Sequence, residues 1–459
     1  MAAWRDAIRV WHTMTVLDPF DALPRGERPM SAADDASHAA KPVAGGGLLH
    51  RRVLLRRSLV LAAATPAAMV GREARAADLQ ALEPPATMRT PGRPFSNYGQ
   101  PSSHERAVIR SIAANRVVPG NGVSWTPLED LEGMLTPSGL HFERHHNGVP
   151  DIDPAQHELL IHGLVRQPLR FSVNDLLQYP MRSHLIFIEC GGNSNAGWHS
   201  RPMQRPLGSV HGMVSCSEWT GVPVSALLAE AGVDATARWV IAEGADAVAM
   251  NVSLPLAKLL DDCIVALYQN GERLRPEHGY PMRLVTPGWE GVLNVKWLHR
   301  LQLAEQPVMA RNETAKYTEL MPDGRARMFT FVMDAKSLIT SPSHGQRLRG
   351  PDVYEIRGLA WSGRGRIRRV EVSADGGANW AEAALQAPVL PRCLTRFRAA
   401  WRWDGRAAVL KSRATDETGY VQPEREVLLQ QRGKNGYFHY NAIVSWAVDA
   451  QGGVRHVYA

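Results

Sequence analysis

Glycine and proline punctuate this chain throughout, so helix-rich and repeat architectures are not suggested. There are 39 Gly and 31 Pro in 459 residues, spread along the whole length. What remains is a fold of short strands and short helices. The length suits two or three domains, each able to bury a core without disulfide staples.

The punctuated segments fall into three blocks. Residues 1–77 read as an N-terminal extension and export signal. Residues 78–325 read as a mixed α+β domain, and residues 326–459 as an all-β, immunoglobulin-like sandwich. The α+β domain begins with a Pro-, Gly-, Arg- and Ser-rich arm over 78–125, with a helix expected around "HERAVIRSIAAN". From Met134 onward "LIFIE" predicts a buried strand. "PVSALLAEAG" predicts a helix, with Pro223 in the first turn and Gly232 as its stop. "SLPLAKLLDD" predicts a second short helix with Ser253 as a cap. "VALYQNGERL" predicts a hairpin turning at Asn270-Gly271, and "YPMRLVTPG" and "NVKWLHRLQL" predict strands. In the last block the runs "VYEIRGLAWSG", "IRRVEVSADGGANW", "TRFRAAWRWDG" and "AAVLKSRATDETG" have the strand lengths and turn spacing of a sandwich.

The extension holds "RRVLLRRSLVLAAATPAAMVGREARAAD". Basic residues Arg51, Arg52, Arg56 and Arg57 precede an apolar stretch over 59–70, and small residues allow cleavage near Ala76. That stretch is too short for a bilayer, which needs about 20 helical residues. Arg56-Arg57 followed by "SLV" resembles a twin-arginine signal, so export to the periplasm with no membrane span is expected. Some 50 residues precede this signal, which suggests a translation start further along, at Met30.

The formal charge of +7 is not a nucleic-acid signature. Residues 1–77 hold 11 Lys+Arg against 7 Asp+Glu, so the rest of the chain keeps only +3, with no basic stripe. No nucleic-acid partner is expected. The four cysteines, Cys190, Cys216, Cys263 and Cys393, form no CxxC pair and no CxxCH. Structural zinc and an attached haem are therefore not expected in this chain.

Cys190 has an unusual flank, "FIECGGNSNAGW". A cysteine at a strand end is by default an inert core thiol. Two glycines and an asparagine after it also mark a place where backbone can approach a ligand closely, and a thiolate is a soft metal ligand. One thiolate cannot hold a metal alone, so a cofactor or further side chains must complete the site.

Three separated runs, "FERHHNGVPDIDP", "FIECGGN" and "EHGYPMRLVTPGWEGVLNVKWL", resemble the sulfite oxidase family of molybdenum enzymes, over roughly residues 85–459. "GADAVAMNVSLPL", "PRCLTRFR" and "RGKNGYFHYNAI" are most similar to its sulfane dehydrogenase branch from bacterial thiosulfate oxidation (Sox). The resemblance implies a molybdenum–molybdopterin cofactor with Cys190 as metal ligand. It implies that Arg144 and Tyr317 act beside the metal and that Arg432 reaches the substrate pocket from the sandwich. His146, Asp246, His278, Arg283, Asn294 and Lys296 would contact the pterin. It further implies a homodimer within a heterotetramer, a c-type cytochrome subunit as electron acceptor and a sulfur-carrier protein as substrate. Trp198, Trp219, Trp289 and Trp297 read as packing residues; Cys216, Cys263 and Cys393 read as structural.

One departure bears on substrate. Sulfite oxidases follow the loop asparagine with two arginines, whereas this chain has Ser194-Asn195. The lost positive charge favours carrier-bound sulfane sulfur over a small free dianion. Alternatives are a sulfite:cytochrome c oxidoreductase, an oxygen-removing reductase such as one acting on sulfoxides, and a binding module with an inert Cys190.

Overall fold

The computed structural model describes residues 42–50, 86–434 and 436–459. The twin-arginine run, its apolar stretch, the cleavage region at Ala76 and Met30 lie outside the described residues. Within the expected extension, 42–50 packs on the sandwich. Leu48 is fully buried, and the Leu49 N–H donates to the Ala400 carbonyl at 2.8 Å.

The first domain contains three sheets. Ser111–Ala114, Gly122–Trp125 and Glu143–His145 form an antiparallel three-stranded sheet. A second sheet runs Glu272–Arg273, Ile264–Gln269, Val214–Pro223 and Arg182–Glu189, with Arg283–Val285 also paired to Ile264–Gln269. The third runs Leu169–Ser172, Glu158–Gly163, Leu298–Ala304, Trp239–Gly244 and Asn251–Pro255, and its Glu158–Gly163 and Leu298–Ala304 strands are parallel. Short helices at Val224–Ala231 and Leu256–Asp261 pack their leucines into the core beneath this third sheet.

The second domain is a sandwich of a four-stranded and a five-stranded sheet. Its core of Trp361, Phe397, Trp401 and Trp446 continues without a break into Phe187, Val214 and Cys216 of the first domain. The two domains therefore share one apolar core. Cys216 Sγ meets Cys393 Sγ across this join at 3.3 Å, and all four cysteines are free thiols.

Several local signals act as expected. Gly232 stops the first helix at φ +71°. Asn270 and Gly271 both have positive φ, as a two-residue hairpin requires. Two expectations are corrected. In "HERAVIRSIAAN" only Ser103–Glu105 makes a single 3-10 turn, and Ser111–Ala114 is a strand because Ile112 pairs with Ser124. Tertiary pairing overrides helix propensity there. Ser253 is not a cap: it lies inside the strand Asn251–Pro255, paired to Ile241, and its N–H donates to the Glu313 carboxylate. Pro255 occupies the helix cap instead.

Candidate active site

A cavity of about 740 Å³, its open mouth included, lies where the strand ends at Glu143–His145, Arg182–Glu189 and Arg283–Val285 meet the loop carrying Asn294 and Lys296. Cys190, Arg144, His146, Asp246, His278, Arg283, Asn294, Lys296 and Tyr317 all line it. Arg432 does not. Its guanidinium is buried against Glu319 Oε2 at 2.6 Å, with Thr330 Oγ1 at 3.4 Å.

Cys190 follows the last residue of the strand Arg182–Glu189. Its N–H donates to the Met213 carbonyl at 2.9 Å, and its own carbonyl accepts from Asn193 at 2.9 Å. The loop then turns through Ser194 at φ +63°. The glycines serve mainly to admit protein groups. A methyl at Gly191 would overlap the Glu290 carboxylate, and one at Gly197 would overlap the Tyr440 ring. Gly192 alone has ordinary contacts, with Cys190 Sγ and Tyr437 near it. Burial pushes the Cys190 thiol up to about 11, opposed in part by the Gly192 N–H and by Arg144. A bound cation reverses that preference, because it deprotonates a coordinating thiol.

The opposite wall is cationic. Arg144 is anchored by the Gly122 carbonyl at 3.2 Å and faces His146 Nδ1 at 3.4 Å. Lys296 Nζ donates to the Arg144 carbonyl (3.1 Å), the Glu277 carbonyl (3.2 Å) and His145 Nδ1 (2.8 Å). His145 passes its other nitrogen to Glu143 at 2.9 Å. Arg283 holds the His278 and Asn294 carbonyls at 3.1 and 2.9 Å, and its guanidinium lies 4.9 Å from the Trp219 ring centroid. Desolvation lowers the pKa of His146 to about 4, helped by Arg144 and Lys296, so this imidazole is neutral at ordinary pH.

Buried polar atoms without partners test whether a cofactor fits. Both ring nitrogens of His278, Nε of Arg283 and Nε2 of His141 have none, although all three side chains are buried and line the cavity. Buried donors are normally satisfied. The set is mixed: Arg283 Nε and one His278 nitrogen donate, whereas His141 Nε2, whose Nδ1–H is spent on the Phe142 carbonyl, and the other His278 nitrogen accept. A pterin, with ring and amino N–H donors as well as acceptors and a phosphate, matches it, and the Cys190 thiolate matches a soft metal. The residues present therefore fit a molybdopterin.

Tyr317 closes the mouth. Its hydroxyl lies 3.3 Å from His146 Nε2, and its ring stacks on Phe438 at 5.1 Å. Burial pushes its pKa well up, so it stays protonated. Asp246 Oδ1 accepts from Met250 N–H at 3.0 Å, and Asn294 Oδ1 accepts from Thr286 N–H at 2.9 Å, so each also shapes its own loop. Three cavity residues escaped sequence reading. The sequence assigned no role to His145 or His141 and read Trp297 as packing. Trp297 does pack at 3 % exposure, yet it also lines the cavity beneath the Lys296 ammonium, which sits 4.4 Å from the indole centroid.

Residues 146–312 match the oxidoreductase molybdopterin binding domain family, and residues 327–445 match the Mo-co oxidoreductase dimerisation domain family. Mitochondrial sulfite oxidase of Mus musculus is 32% identical over 321 residues, covering 64% of this chain and 58% of its own length. NADH nitrate reductase of Solanum lycopersicum is 30% identical over 345 residues, covering 65% of this chain and 37% of its own length. The chain thus spans well under two thirds of these curated relatives. The crystal structure of sulfane dehydrogenase SoxCD from Paracoccus pantotrophus superposes with a TM-score of 0.80 at 45% identity, over 83% of this chain and 98% of that one.

Proposed function

We propose, for a chain that belongs to the sulfite oxidase family of molybdenum oxidoreductases, that the substrate is sulfane sulfur derived from thiosulfate and held on a carrier protein. The electrons go to a c-type cytochrome. The observation that carries this reading is the 45% identity across almost the whole length of a sulfane dehydrogenase chain. Side-chain chemistry agrees. At the position where sulfite oxidases place an arginine, Ser194 is fully buried and turned away into the protein, so it brings no cation to the cavity.

Each residue then has a proposed task. A bound molybdenum dithiolene supplies two-electron oxygen-atom transfer. Cys190 donates its thiolate to the metal. His278, Arg283 and Lys296 hold the pterin and its phosphate, with Asp246, Asn294 and His146 around it. Arg144, always charged and fixed by a backbone carbonyl, would attract an anionic sulfur substrate to the cavity and offer it planar hydrogen-bond donors. With Arg144 donating to His146 Nδ1, the neutral imidazole carries its proton on Nε2 and donates it to the Tyr317 oxygen, which leaves the protonated phenol free to donate elsewhere. Arg432 acts from a distance, by holding Glu319.

No described helix is long and apolar enough to cross a membrane. We place the working protein in the periplasm after twin-arginine export, as a homodimer through the sandwich within a heterotetramer with its cytochrome.

Two measurements test the reading. Metal analysis should find about one molybdenum per chain, since a single thiolate site is present; its absence restores the inert-cysteine binding module. Reduction of a c-type cytochrome should be faster with carrier-bound sulfane sulfur than with free sulfite. The opposite ranking makes the protein a sulfite:cytochrome c oxidoreductase. Cys190→Ser should fold normally and lose turnover.

A further inference from the structure

Lys336 opens the strand Lys336–Ser341 of the sandwich and is 1% exposed. A buried ammonium is costly unless paired and hydrogen-bonded. Trp361 of its own domain lies under the ammonium, 5.6 Å to the ring centroid, but its hydrogen-bond partners are in the other domain. Nζ donates to Glu189 Oε1 at 3.1 Å and to Ser194 Oγ at 2.6 Å. Glu189 immediately precedes Cys190, and Ser194 ends the tight part of the loop that follows it.

The surrounding groups complete the network. Trp361, also from the sandwich, donates its indole N–H to Glu189 Oε2 at 2.7 Å. Asn193 Nδ2 donates to Glu189 Oε1 at 2.9 Å, and its Oδ1 accepts from Met213 N–H at 3.1 Å. His211 Nδ1 meets Ser194 Oγ at 2.7 Å. A third tie comes from the C-terminal segment, where the His439 N–H donates to the Gly191 carbonyl at 2.6 Å. The loop is thus pinned at residues 189, 191 and 194, each time by a group beyond residue 330. A buried hydrogen-bonded network of this kind rigidifies what it holds, although His211 Nε2 and His439 Nδ1 have no partner within it.

We propose that Lys336 is a positioning residue for Cys190: the ammonium ties both flanks of the cysteine loop to the sandwich, so that docking of the second domain sets the direction of the thiolate. This rests on Cys190 being the metal ligand, but the loop's order can be measured without the metal. Lys336 touches neither the cavity nor Cys190. It works through Glu189 and Ser194. It also gives the Ser194 departure a purpose. A small hydroxyl there accepts the ammonium from behind and meets His211 Nδ1 on its other side.

The test uses the full chain prepared without cofactor. Lys336→Met combined with Glu189→Gln removes the ammonium and leaves no lone buried charge. Cys190 is alkylated with iodoacetamide and the site read by peptide mass. Loosening two or three buried hydrogen bonds should raise the Cys190 rate about tenfold or more, through local opening. Lys411→Met is the control: Lys411 is a buried sandwich lysine paired with Glu424 at 3.2 Å, away from the loop. It should leave the Cys190 rate unchanged. Lys336→Arg keeps donors for both partners and should retain most of the protection. Where the double variant does not fold, Ser194→Ala removes only one contact and should still give about a threefold rise. In molybdenum-loaded protein, the paramagnetic resonance signal of the one-electron-reduced metal should shift with Lys336→Met and not with Lys411→Met. A Cys190 rate within experimental error of wild type, in whichever loop variant folds, overturns the proposal, as does an unshifted metal signal. A faster Cys190 rate in protein that never binds molybdenum keeps the loop clamp and removes the metal assignment instead.

Discussion

The Tyr317 hydroxyl and His146 Nε2 lie 3.3 Å apart although 171 residues separate them in sequence. Tyr317 follows a π-helical turn, Asn312–Lys316, and His146 follows the strand Glu143–His145. Burial keeps the phenol protonated and the imidazole neutral; His146, which takes Arg144 on Nδ1, donates from Nε2 to the phenol oxygen and so orients the Tyr317 hydroxyl proton in the cavity. Tyr317→Phe should lower kcat by about 10²-fold, the usual size of a positioned proton donor's effect. Its unfolding midpoint should stay close to wild type, because the ring keeps its stack on Phe438. Steady-state cytochrome reduction and a urea titration read the two quantities separately.

Arg432 should show its importance in stability first. Arg432→Met strands the Glu319 carboxylate, 8% exposed and near the still more buried Glu290. Breaking a buried pair from one side costs about 3–5 kcal/mol. Arg432→Met with Glu319→Gln should recover most of that loss in chemical denaturation. A residue that binds substrate directly would instead raise KM with little change in unfolding.

Gly191→Ala should disturb the cysteine loop. The added methyl meets the Glu290 carboxylate, so the loop or that side chain must shift, at about 1–3 kcal/mol. Glu290→Ala in the same chain relieves the overlap and should return both melting temperature and molybdenum content toward wild type. Failure of that rescue would place the strain elsewhere.

The cavity histidines predict acid sensitivity of the cofactor-free protein. Desolvation lowers His141 to about 3 and His146 to about 4, and also lowers His145 and His278. Unfolded histidine takes its proton near pH 6.5, before the folded side chains do. Stability should therefore be full above about 6.5 and fall steadily as pH drops toward 4, by at most about 1.4 kcal/mol per pH unit for each fully buried histidine. Denaturation midpoints at three pH values check the slope. His141→Gln should flatten it.

Arg283→Met should cost cofactor before it costs catalysis. Arg283 holds the carbonyls of His278 and Asn294 together and lines the donor-rich wall. Loss of such a support typically weakens binding about 10–100-fold. Molybdenum and pterin content per folded chain is the readout.

Much of this protein was legible in the residues alone, where the signal is local. The hairpin at Asn270-Gly271 needs only two positive φ values. The helix stop at Gly232 needs one. The strand before Cys190 reads directly from its apolar run. The motifs around Arg144, Cys190 and Lys296 are each contiguous, and resemblance to a known family was enough to bring them into one cavity. Other features depend on distance in sequence. A helix reading of "HERAVIRSIAAN" failed because Ile112 finds Ser124 across a sheet. The glycines after Cys190 were read as space for a cofactor, yet Gly191 is required by Glu290, about a hundred residues further along the chain. Residue type alone cannot show that Arg432 spends its charge on Glu319, or that Lys336 spends its charge on Glu189. Sequence by itself determined the strand-rich two-domain architecture and the chemistry available at Cys190. Tertiary structure decided which charges are neutralised inside the protein and which face the cavity, because that depends on which side chains share a low-dielectric interior, and only the folded chain brings those partners within hydrogen-bond distance.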